Sequence, residues 1–459
     1  MNAYILIDFG STYTKLTLID ADNRCLLATT NANTTVDTNI KIGYENALKK
    51  MKEKIDFSQI NILDILACSS AAGGLKMVAI GITPNYTVEA AKKSILGAGA
   101  RLLKSYSYFL KEKDLLEISS LRPDIILLTG GAENGNTKYI LHNAMMLTKL
   151  DRKIPIVVAG NSGVNKEISE IFLNSKKEFQ VTENIMPDVN MINPEPAREV
   201  IRKIFMKQII HAKGMEEVEK EIHKILMPTP SAVLKSAKLL AEGTEKYQGW
   251  GDVMVIDIGG ATTDVHTISD PHKDCNLLLE GLIDPYIKRT VEGDLGMRYS
   301  AISLYENIGE ENFMKYKGDL KHIKEKCEIR HQNTTIIFDE EEEIQFDEIM
   351  AKNCVLFSSQ RHVGKLRSSY INGRKVLLQS GKDLRKIKYI IGTGGVLTNG
   401  KHPYEILKEC ISKEKMDLLP RNPRFFIDEK YIMSSMGILS MKNPDLAFEI
   451  LTNTLKNIG

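Results

Sequence analysis

One strand–turn–strand pattern occurs twice in this sequence, and the repeat constrains the fold more than any other feature. An apolar strand, an Asp-x-Gly, a small polar turn and a second strand occupy residues 4–19 and again residues 253–265. The matched positions are Asp8 with Asp257, Gly10 with Gly259, Thr14 with Thr263, and Lys15 with Asp264. The alternation of polar and apolar residues after the first turn predicts a half-buried hairpin strand.

A second pattern, a buried strand that runs into a threonine–glycine turn, also occurs twice. Residues 123–133 contain Thr-Gly-Gly starting at Thr129, and residues 387–396 contain Gly-Thr-Gly-Gly starting at Gly392. Each follows an Asp-x-Gly turn at similar spacing, 121 positions from Asp8 to Thr129 and 136 positions from Asp257 to Thr393. We therefore interpret the chain as two homologous α/β domains, in which the Thr129 turn matches the Thr393 turn.

The length of 459 residues suits two domains or more, because a single core of that size is unusual. We place the first domain at residues 1–245 and the second at residues 250–459. Gly243 and the segment Gly249-Trp-Gly251 mark the break between them. Apolar residues at helical spacing predict closing C-terminal helices over residues 434–459.

Turns of this composition favour phosphate binding. Glycine lets the backbone approach an anion closely, and consecutive backbone N–H groups then point towards it. Lys15 adds a positive charge beside the first turn. Asp8 and Asp257 end buried strands, where a carboxylate is placed to hold the waters of a magnesium ion. The turn at Gly392 would let an adenine and a ribose lie against the backbone, so the pattern predicts a nucleotide between the two domains.

Composition excludes several other classes of protein. With 61 Lys and Arg against 59 Asp and Glu, the net charge of +2 provides no general attraction for nucleic acid or anionic lipid. No uninterrupted apolar segment is long enough to predict a membrane helix. The six cysteines form no CxxC pair, which argues against zinc or iron–sulfur sites and fits a reducing cytoplasm. No Walker P-loop or Rossmann fingerprint occurs.

The two phosphate turns and the adenosine turn resemble those of the actin-like ATPase superfamily, which includes sugar kinases, heat-shock chaperones and actin. Within it, the chain closely resembles the glutamate mutase (methylaspartate mutase) accessory protein family, often called MutL, which is unrelated to the mismatch-repair protein of that name. The closer resemblance is carried by residues 5–12, 68–77, 128–133, 227–231 and 257–264, and most specifically by Thr290-Val-Glu-Gly-Asp-Leu-Gly-Met-Arg298.

The resemblance implies two actin-like (ribonuclease H-like) α/β domains with a nucleotide cleft between them. It further implies an ATP-dependent accessory protein that reactivates an adenosylcobalamin-dependent mutase by releasing damaged cobalamin. The carbon-skeleton chemistry would then belong to the partner mutase. The implied cofactors are ATP and Mg²⁺, and the expected location is the cytoplasm.

The resemblance also implies roles for individual residues. Asp8 and Asp257 would hold magnesium-bound water, and either Glu133 or Asp264 would orient the water that attacks ATP. As alternatives, Glu133 is a solvated acid at a helix start and Asp264 is a turn-side cap. The residues expected to contact the nucleotide are Gly10, Ser11, Thr12, Lys15, Gly130, Gly131, Gly259, Gly260, Thr262, Thr263, Gly392, Gly394 and Gly395.

Two other functions remain open at this point. One is a small-molecule kinase of the sugar-kinase type, although the sequence shows no clear catalytic aspartate aimed at a substrate hydroxyl. The other is a subunit of an ATP-dependent hydantoinase or oxoprolinase. The identity of the partner mutase and the oligomeric state, including a homo-oligomer, are also open.

Three further segments carry weaker expectations. Residues 69–81 read as a plain β-hairpin around a glycine turn, with a segment that lines the cleft as the alternative. Glu292-Gly-Asp294 is expected to open a helix that faces the cleft, with Arg298 as either a phosphate contact or a surface arginine. The acidic run of residues 339–343 is expected to be a solvated face.

Overall fold

A computed structural model describes residues 1–10, 13–34, 39–70, 75–151, 153–189, 191–210, 215–218, 222, 224–271, 277–318 and 320–459. Its strands, in chain order, are β1 (Asn2–Phe9), β2 (Tyr13–Asp20), β3 (Cys25–Asn33), β4 (Asn61–Ser69), β5 (Lys76–Gly81), β6 (Arg101–Ser107), β7 (Ile125–Leu128), β8 (Ile156–Val158), β9 (Phe179–Val181), β10 (Lys224–Pro228), β11 (Val253–Ile258), β12 (Thr263–Ile268), β13 (Leu278–Leu279), β14 (Ile287–Glu292), β15 (Lys365–Ile371), β16 (Arg374–Ser380), β17 (Tyr389–Thr393), β18 (Arg424–Ile427) and β19 (Lys456–Asn457).

The helices, in the same order, are α1 (Ile40–Lys54), α2 (Thr87–Gly97), α3 (Glu112–Leu121), α4 (Lys138–Thr148), α5 (Asn165–Asn174), α6 (Glu195–Ile210), α7 (Met215–Val218), α8 (Thr229–Glu242), α9 (Ala301–Ile308), α10 (Glu310–Met314), α11 (Ile323–Gln332), α12 (Glu341–His362), α13 (Gly395–Asn399), α14 (Pro403–Leu407), α15 (Met433–Leu439) and α16 (Pro444–Thr454). None of the helices in the described ranges is long and apolar enough to cross a membrane.

Two sheets have the same strand order and the same strand directions. The first sheet runs β3-β2-β1-β4-β10, and the second runs β14-β12-β11-β17-β18, with β19 added at its edge. In each sheet, neighbours among the first three strands of that order are antiparallel. The fourth and fifth strands run parallel to the third, which is β1 in one sheet and β11 in the other. This mixed five-strand pattern is the actin-like, ribonuclease H-like α/β fold that the sequence predicted, and it is what a duplication would produce.

A third sheet, of five parallel strands in the order β6-β5-β7-β8-β9, is inserted between β4 and β10 of the first sheet. Its strands β5, β7 and β8 are almost entirely buried, which explains their near-continuous apolar sequences. Helices α3, α4 and α5 contribute to the core on one face, and α2 and α6 contribute to the core on the other.

The inserted sheet corrects two interpretations of the sequence. Strand β7, which leads into Thr129, belongs to the inserted sheet, so the Thr129 turn is not the counterpart of the Thr393 turn. The strand that matches β17 is β4, because β4 pairs parallel with β1 as β17 does with β11. The expected hairpin over residues 69–81 is also wrong, since β4 and β5 belong to different sheets.

The C-terminal segment, expected from the sequence to form closing helices over residues 434–459, contains α15 and α16. Helix α15 packs against α8 and also contacts β1 and β4 of the first sheet. Its contact with α8 is close, because a Cβ atom at Gly437 would lie only 1.9 Å from the Ala232 carbonyl oxygen. The end of the chain returns to the second sheet as β19, which pairs antiparallel with β18.

Helix α2 of the inserted unit packs against β14 of the second sheet. The Lys93 ammonium group forms an ion pair with the buried Asp284 carboxylate, which also binds Lys288 at 2.8 Å. Although burial acts against ionisation, the two lysines lower the pKa of Asp284 to about 2. The inserted unit is therefore held to the second sheet by an ion pair, and the polypeptide connects it to the first sheet.

The close approach of α15 to α8 predicts that Gly437→Ala destabilises the protein. An exposed Gly→Ala change inside a helix normally stabilises it by roughly 1 kcal/mol. Here the methyl group overlaps backbone, and we expect a loss of about 1–3 kcal/mol in the free energy of unfolding, measured by urea denaturation. Gly318→Ala is the matched control, because no atom lies within 4 Å of its Cβ position. Equal stability of the two variants would contradict the close packing.

Candidate functional site

The two Asp-x-Gly turns have the same local geometry. In the first, Gly10 N–H donates to the Tyr13 carbonyl at 3.1 Å, and in the second, Gly259 N–H donates to the Thr262 carbonyl at 2.9 Å. The strand register pairs Asp8 with Lys15 in one hairpin and Asp257 with Asp264 in the other. The structure therefore confirms the position-by-position match of the two turns. Ser11 and Thr12 lie outside the described residues.

Asp8 is buried at the end of β1 and its carboxylate is held from several elements. Thr229, at the start of α8, donates its hydroxyl to Oδ1 at 2.6 Å. Ser434, in the first turn of α15, donates to Oδ2 at 3.0 Å. The Cys68 thiol, at the end of β4, lies 3.6 Å from Oδ1. Elements distant in sequence thus converge on one carboxylate oxygen pair, which is typical of a positioned functional group.

Lys15 lies between the two halves of the site. Its ammonium group is 3.5 Å from the Asp8 carboxylate and 3.3 Å above the centre of the Tyr431 ring. Burial acts to lower the pKa of Lys15, but the Tyr431 hydroxyl and the carboxylates of Asp8 and Asp257 outweigh burial and raise it above its ordinary value. The lysine therefore remains a cation at the point where both turns meet.

Asp257 is surrounded by more negative than positive charge. Burial raises its pKa to about 7, and the carboxylates of Asp264, Asp8 and Asp428 add to the rise, while Lys15 opposes it. At neutral pH this carboxyl is therefore only partly ionised in the protein alone. A group whose pKa lies this far from its ordinary value is characteristic of functional sites.

Asp264, the counterpart of Lys15, is held by Arg289. The Arg289 Nε atom is 2.8 Å from Asp264 Oδ1, and the Thr262 hydroxyl donates to Oδ2 at 3.1 Å. Another guanidinium nitrogen of Arg289 donates to the Leu96 carbonyl at the end of α2. Asp264 is thus a fixed carboxylate and not a turn-side cap exposed to water.

The glycine turn after β17 lies beside the second Asp-x-Gly turn. Thr393 is paired with Asp257 in the parallel register. Gly394 has a φ of +101°, and a Cβ there would lie 2.2 Å from the Ile258 carbonyl oxygen, so only glycine fits. The Cβ position of Gly395 has no atom within 4 Å, whereas that of Gly392 lies against Leu407. The turn therefore presents open backbone next to Asp257.

Gly260 contacts the segment of residues 292–298, which was expected from the sequence to open a helix. Arg298 N–H donates to the Gly260 carbonyl at 2.8 Å, and the Arg298 guanidinium binds Asp347 of α12 at 3.1 Å. Glu292 ends strand β14 and does not open a helix, so that expectation is wrong. The Thr263 hydroxyl donates to the Leu295 carbonyl at 2.8 Å, which turns it away from the cluster.

Asp428 and Tyr431 belong to the cluster but were missed from the sequence. The buried Asp428 carboxylate accepts hydrogen bonds from the Thr393 hydroxyl at 3.1 Å and from the Ile432 and Met433 N–H groups at 2.9 and 3.0 Å. Burial raises its pKa despite these donors. A usable signal existed, because residues 424–428 read as an apolar strand ending in aspartate, as residues 5–8 do.

Three of the predicted residues lie elsewhere. Gly130, Gly131 and Glu133 follow β7 in the inserted sheet. Glu133 is bound by the Ser162 N–H and hydroxyl and by the Asn184 amide at 2.7 Å. In the described part of the chain no hydrogen bond or ion pair joins Glu133 to the aspartate cluster. It is also not a solvated acid at a helix start, because α4 begins five positions later, at Lys138.

Comparison with known families supports the closer resemblance. The family described as MutL protein matches residues 4–455. A curated relative, Protein MutL of Clostridium tetanomorphum, is 50% identical over 463 residues and covers 100% of both chains. The chain belongs to the MutL family. The family assignment made from residues 5–12, 68–77 and the later segments is therefore confirmed, and with it the coarse role of a mutase accessory protein.

Solved structures similar to this MutL family member are much more distant. They include a nucleotide-free acetone carboxylase (13% identity, TM-score 0.42, 96% of this chain and 70% of that one) and a xylulose kinase from Lactobacillus acidophilus (11%, 0.38, 100% and 93%). A glycerol dehydratase reactivase matches with 10% identity and a TM-score of 0.32, over 89% and 94% of the chains. TM-scores this low carry no functional information.

The raised pKa of Asp257 predicts how this MutL protein responds to pH. The unfolded carboxyl ionises near its ordinary pKa of 3.8, whereas the folded one ionises only near 7. Its contribution to stability is therefore present below pH 4 and is lost as pH rises through 7. We expect Asp257→Asn to be more stable than the natural chain at pH 8, by about 1 kcal/mol or more, and the gap to narrow as pH falls below 7 and to close near pH 4, as measured by thermal unfolding. A gap independent of pH would contradict the assignment.

Proposed function

We propose that this chain binds and slowly hydrolyses Mg-ATP at the aspartate cluster. It thereby reactivates an adenosylcobalamin-dependent mutase of the glutamate mutase type by releasing damaged cobalamin. One observation supports the nucleotide site above all. The two matched turns bring Asp8 and Asp257 close enough to the Lys15 ammonium group for both carboxylates to raise its pKa. Membership of the MutL family supports the mutase as the partner.

The cluster fits a magnesium ion by its chemistry. Four carboxylates (Asp8, Asp257, Asp264 and Asp428) face the Lys15 ammonium group and the Arg289 guanidinium, which leaves an excess of negative charge. Among the described residues no three acidic, histidine or cysteine side chains are close enough to bind a metal directly. Asp8 and Asp257 would therefore hold the ion through water, which magnesium prefers, and the ion would neutralise charge on the phosphates when bound.

The chain's own groups supply the remaining contacts. In this proposal the turns that contain Gly10, Ser11, Thr12, Gly259, Gly260 and Thr262 contact the phosphates, and Lys15 adds positive charge. The open backbone at Gly394 and Gly395 accepts the adenosine. Of the two candidates for orienting water, the contacts favour Asp264, because it lies in the cluster and Glu133 does not.

Helix α15 connects the proposed nucleotide site to the C-terminal segment. Ser434 at its start binds Asp8 of the first sheet, and the adjacent Ser435 hydroxyl is 3.0 Å from Thr17 of β2. Asp428 binds both Thr393 of the second sheet and the first N–H groups of α15. One short helix thus contacts strand ends in both sheets. A change in the distance between the two sheets would therefore move the C-terminal segment.

The proposal predicts that Asp257→Asn loses ATP turnover while keeping the fold. Removing a carboxylate that positions magnesium-bound water is expected to lower the turnover number by about 100-fold or more. Phosphate release from Mg-ATP is the measurement, and circular dichroism reports the fold. Asp339→Asn is the matched control, since Asp339 is exposed in the loop before α12. Retained turnover in Asp257→Asn would refute the magnesium role.

The partner is tested separately with inactivated glutamate mutase. We expect the natural chain with Mg-ATP to restore mutase activity when fresh adenosylcobalamin is supplied, and to release the bound damaged cobalamin into the filtrate. Asp257→Asn should do neither, and omission of ATP should have the same effect as that substitution. Phosphorylation of a sugar or organic acid at ordinary enzyme rates, without any effect on the mutase, would show a kinase instead.

A further inference from the structure

Arg101, in the inserted unit, carries a guanidinium group that binds no other described residue. It begins β6, where its backbone N–H donates to the Leu75 carbonyl at 2.7 Å. The residue is only partly exposed, yet within the described ranges no hydrogen bond or ion pair engages its guanidinium. By contrast, three arginines of the second half each bind a carboxylate, namely Arg289, Arg298 and Arg361. An arginine that is partly withdrawn from water without such a partner is free to bind an anionic ligand.

The turn that leads into β6 lies against the first half of the proposed ATP site. Ser231, in the first turn of α8, donates its hydroxyl to the Ala98 carbonyl at 3.2 Å. The close fit continues at Gly99, where a Cβ atom would lie 2.5 Å from the Ser231 Oγ atom. The same helix turn carries Thr229, whose hydroxyl binds the Asp8 carboxylate at 2.6 Å. The backbone just before β6 is therefore packed on the helix start that holds Asp8.

The guanidinium group of Arg101 reaches the second half of the site at Gly293. A Cβ atom at Gly293 would lie 2.7 Å from an Nη atom of Arg101 and 3.0 Å from its Cζ atom, so the guanidinium packs directly on this glycine. The Ser300 hydroxyl links Gly293 to the second Asp-x-Gly turn, because it lies 2.8 Å from the Gly293 carbonyl oxygen and 2.6 Å from that of Ala261. The guanidinium therefore lies beside the turn that is proposed to contact the phosphates.

The cations already in the aspartate cluster are committed to carboxylates. The Lys15 ammonium group lies 3.5 Å from the Asp8 carboxylate, and Arg289 binds Asp264 through Nε at 2.8 Å. A nucleoside triphosphate brings further negative charge into this cluster, so its binding calls for positive charge that the carboxylates do not already neutralise. Arg101 meets this requirement, because no described carboxylate is paired with it.

We propose that Arg101 is a catalytic residue of the ATP site and that the inserted unit contributes it. With Mg-ATP bound, its guanidinium group donates paired hydrogen bonds to oxygens of the terminal phosphate. The same donors stabilise the negative charge that spreads over these oxygens during phosphoryl transfer. Loss of the terminal phosphate then removes the contact, so the inserted unit distinguishes ATP from ADP.

This role of Arg101 rests on the proposed function, because its ligand is the ATP that the cluster is proposed to hydrolyse. In that reaction the oxygen of water bonds to the terminal phosphorus, and the bond from that phosphorus to the bridging oxygen breaks. ADP keeps the electron pair of the broken bond, and one proton of the water is released to solvent. Arg101 stays protonated throughout and acts only by donating hydrogen bonds.

Arg101→Ala is expected to lower the turnover number for Mg-ATP by about 100-fold or more, because an arginine aimed at the transferred phosphate stabilises the transition state. Arg101→Lys keeps the charge but not the paired donors, and should recover only part of the loss. Phosphate release is the measurement. Arg374→Ala is the matched control and should turn over ATP normally, because Arg374 is exposed in β16 and forms no ion pair with a described residue. Equal turnover of Arg101→Ala and Arg374→Ala would overturn the role.

Nucleotide binding separates this role from a purely structural one and from the proposed function. Isothermal titration calorimetry on the full chain uses AMP-PNP, a non-hydrolysable ATP analogue, and ADP, each with magnesium. Arg101→Ala should bind AMP-PNP about tenfold more weakly and ADP with unchanged affinity, because only AMP-PNP carries the terminal phosphate. Equal weakening for both nucleotides, or for neither, would overturn the contact and leave the ATPase proposal in place. A natural chain that binds neither nucleotide would contradict the proposed function and, with it, this role.

Gly293→Ala tests the position of the guanidinium group. The added methyl group would occupy the space of the guanidinium, whereas the backbone of Gly293 is not left-handed and accepts alanine. We expect ATP turnover to fall about tenfold in the natural chain and not to fall further in Arg101→Ala, because the displaced group is already missing there. Thermal unfolding measures whether the natural chain, the two single variants and the double variant are equally stable. Additive losses from the two substitutions, at equal stability, would overturn the placement of Arg101 against Gly293.

Discussion

The Lys15 ammonium group lies where the two halves of the molecule meet, and the geometry of the candidate site depends on it. Asp8 and Asp257 belong to different sheets, and buried carboxylates that share one volume repel each other. Lys15 offsets that repulsion from a position fixed by the register of β2 against β1. The position that matches Lys15 in the second hairpin holds an acid, Asp264, and Arg289 forms an ion pair with it. The two sheets of matching topology therefore carry an asymmetric charge pattern.

The near-neutral charge of the whole chain gives no indication of this arrangement. A net charge of +2 spread over 459 residues coexists with four carboxylates and two cations in one buried cluster. Local charge of this kind attracts a cation without any long-range field. Composition reports only the long-range field of the chain, so it gave no information about the local charge of the aspartate cluster.

The parts of the site that were predictable from sequence are those that depend on neighbouring residues. The turns at Gly10 and Gly259 were matched correctly because a hairpin fixes its own register, so a few residues determine which side chains are opposite. The match of Thr129 with Thr393 failed for the opposite reason. A strand that ends in Thr-Gly-Gly suits the carboxyl end of any parallel strand, and the sheet to which that strand belongs depends on residues far away in the chain. Asp428 was missed although an apolar strand, β18, leads into it, whereas Tyr431 and Ser434 were missed because they reach the cluster only through the folding back of α15.

Helix α2 connects the inserted sheet with the aspartate cluster. At its start, the Thr87 hydroxyl accepts hydrogen bonds from the N–H groups of Ile82 and Thr83, in the loop that follows β5 of the inserted sheet. At its end, the Leu96 carbonyl accepts a hydrogen bond from Arg289, whose guanidinium also holds Asp264. Eleven residues of helix span about 16 Å as a rigid body. A shift of the loop after β5 therefore moves the carbonyl that positions Arg289, and with it the carboxylate proposed to orient water in the ATP site.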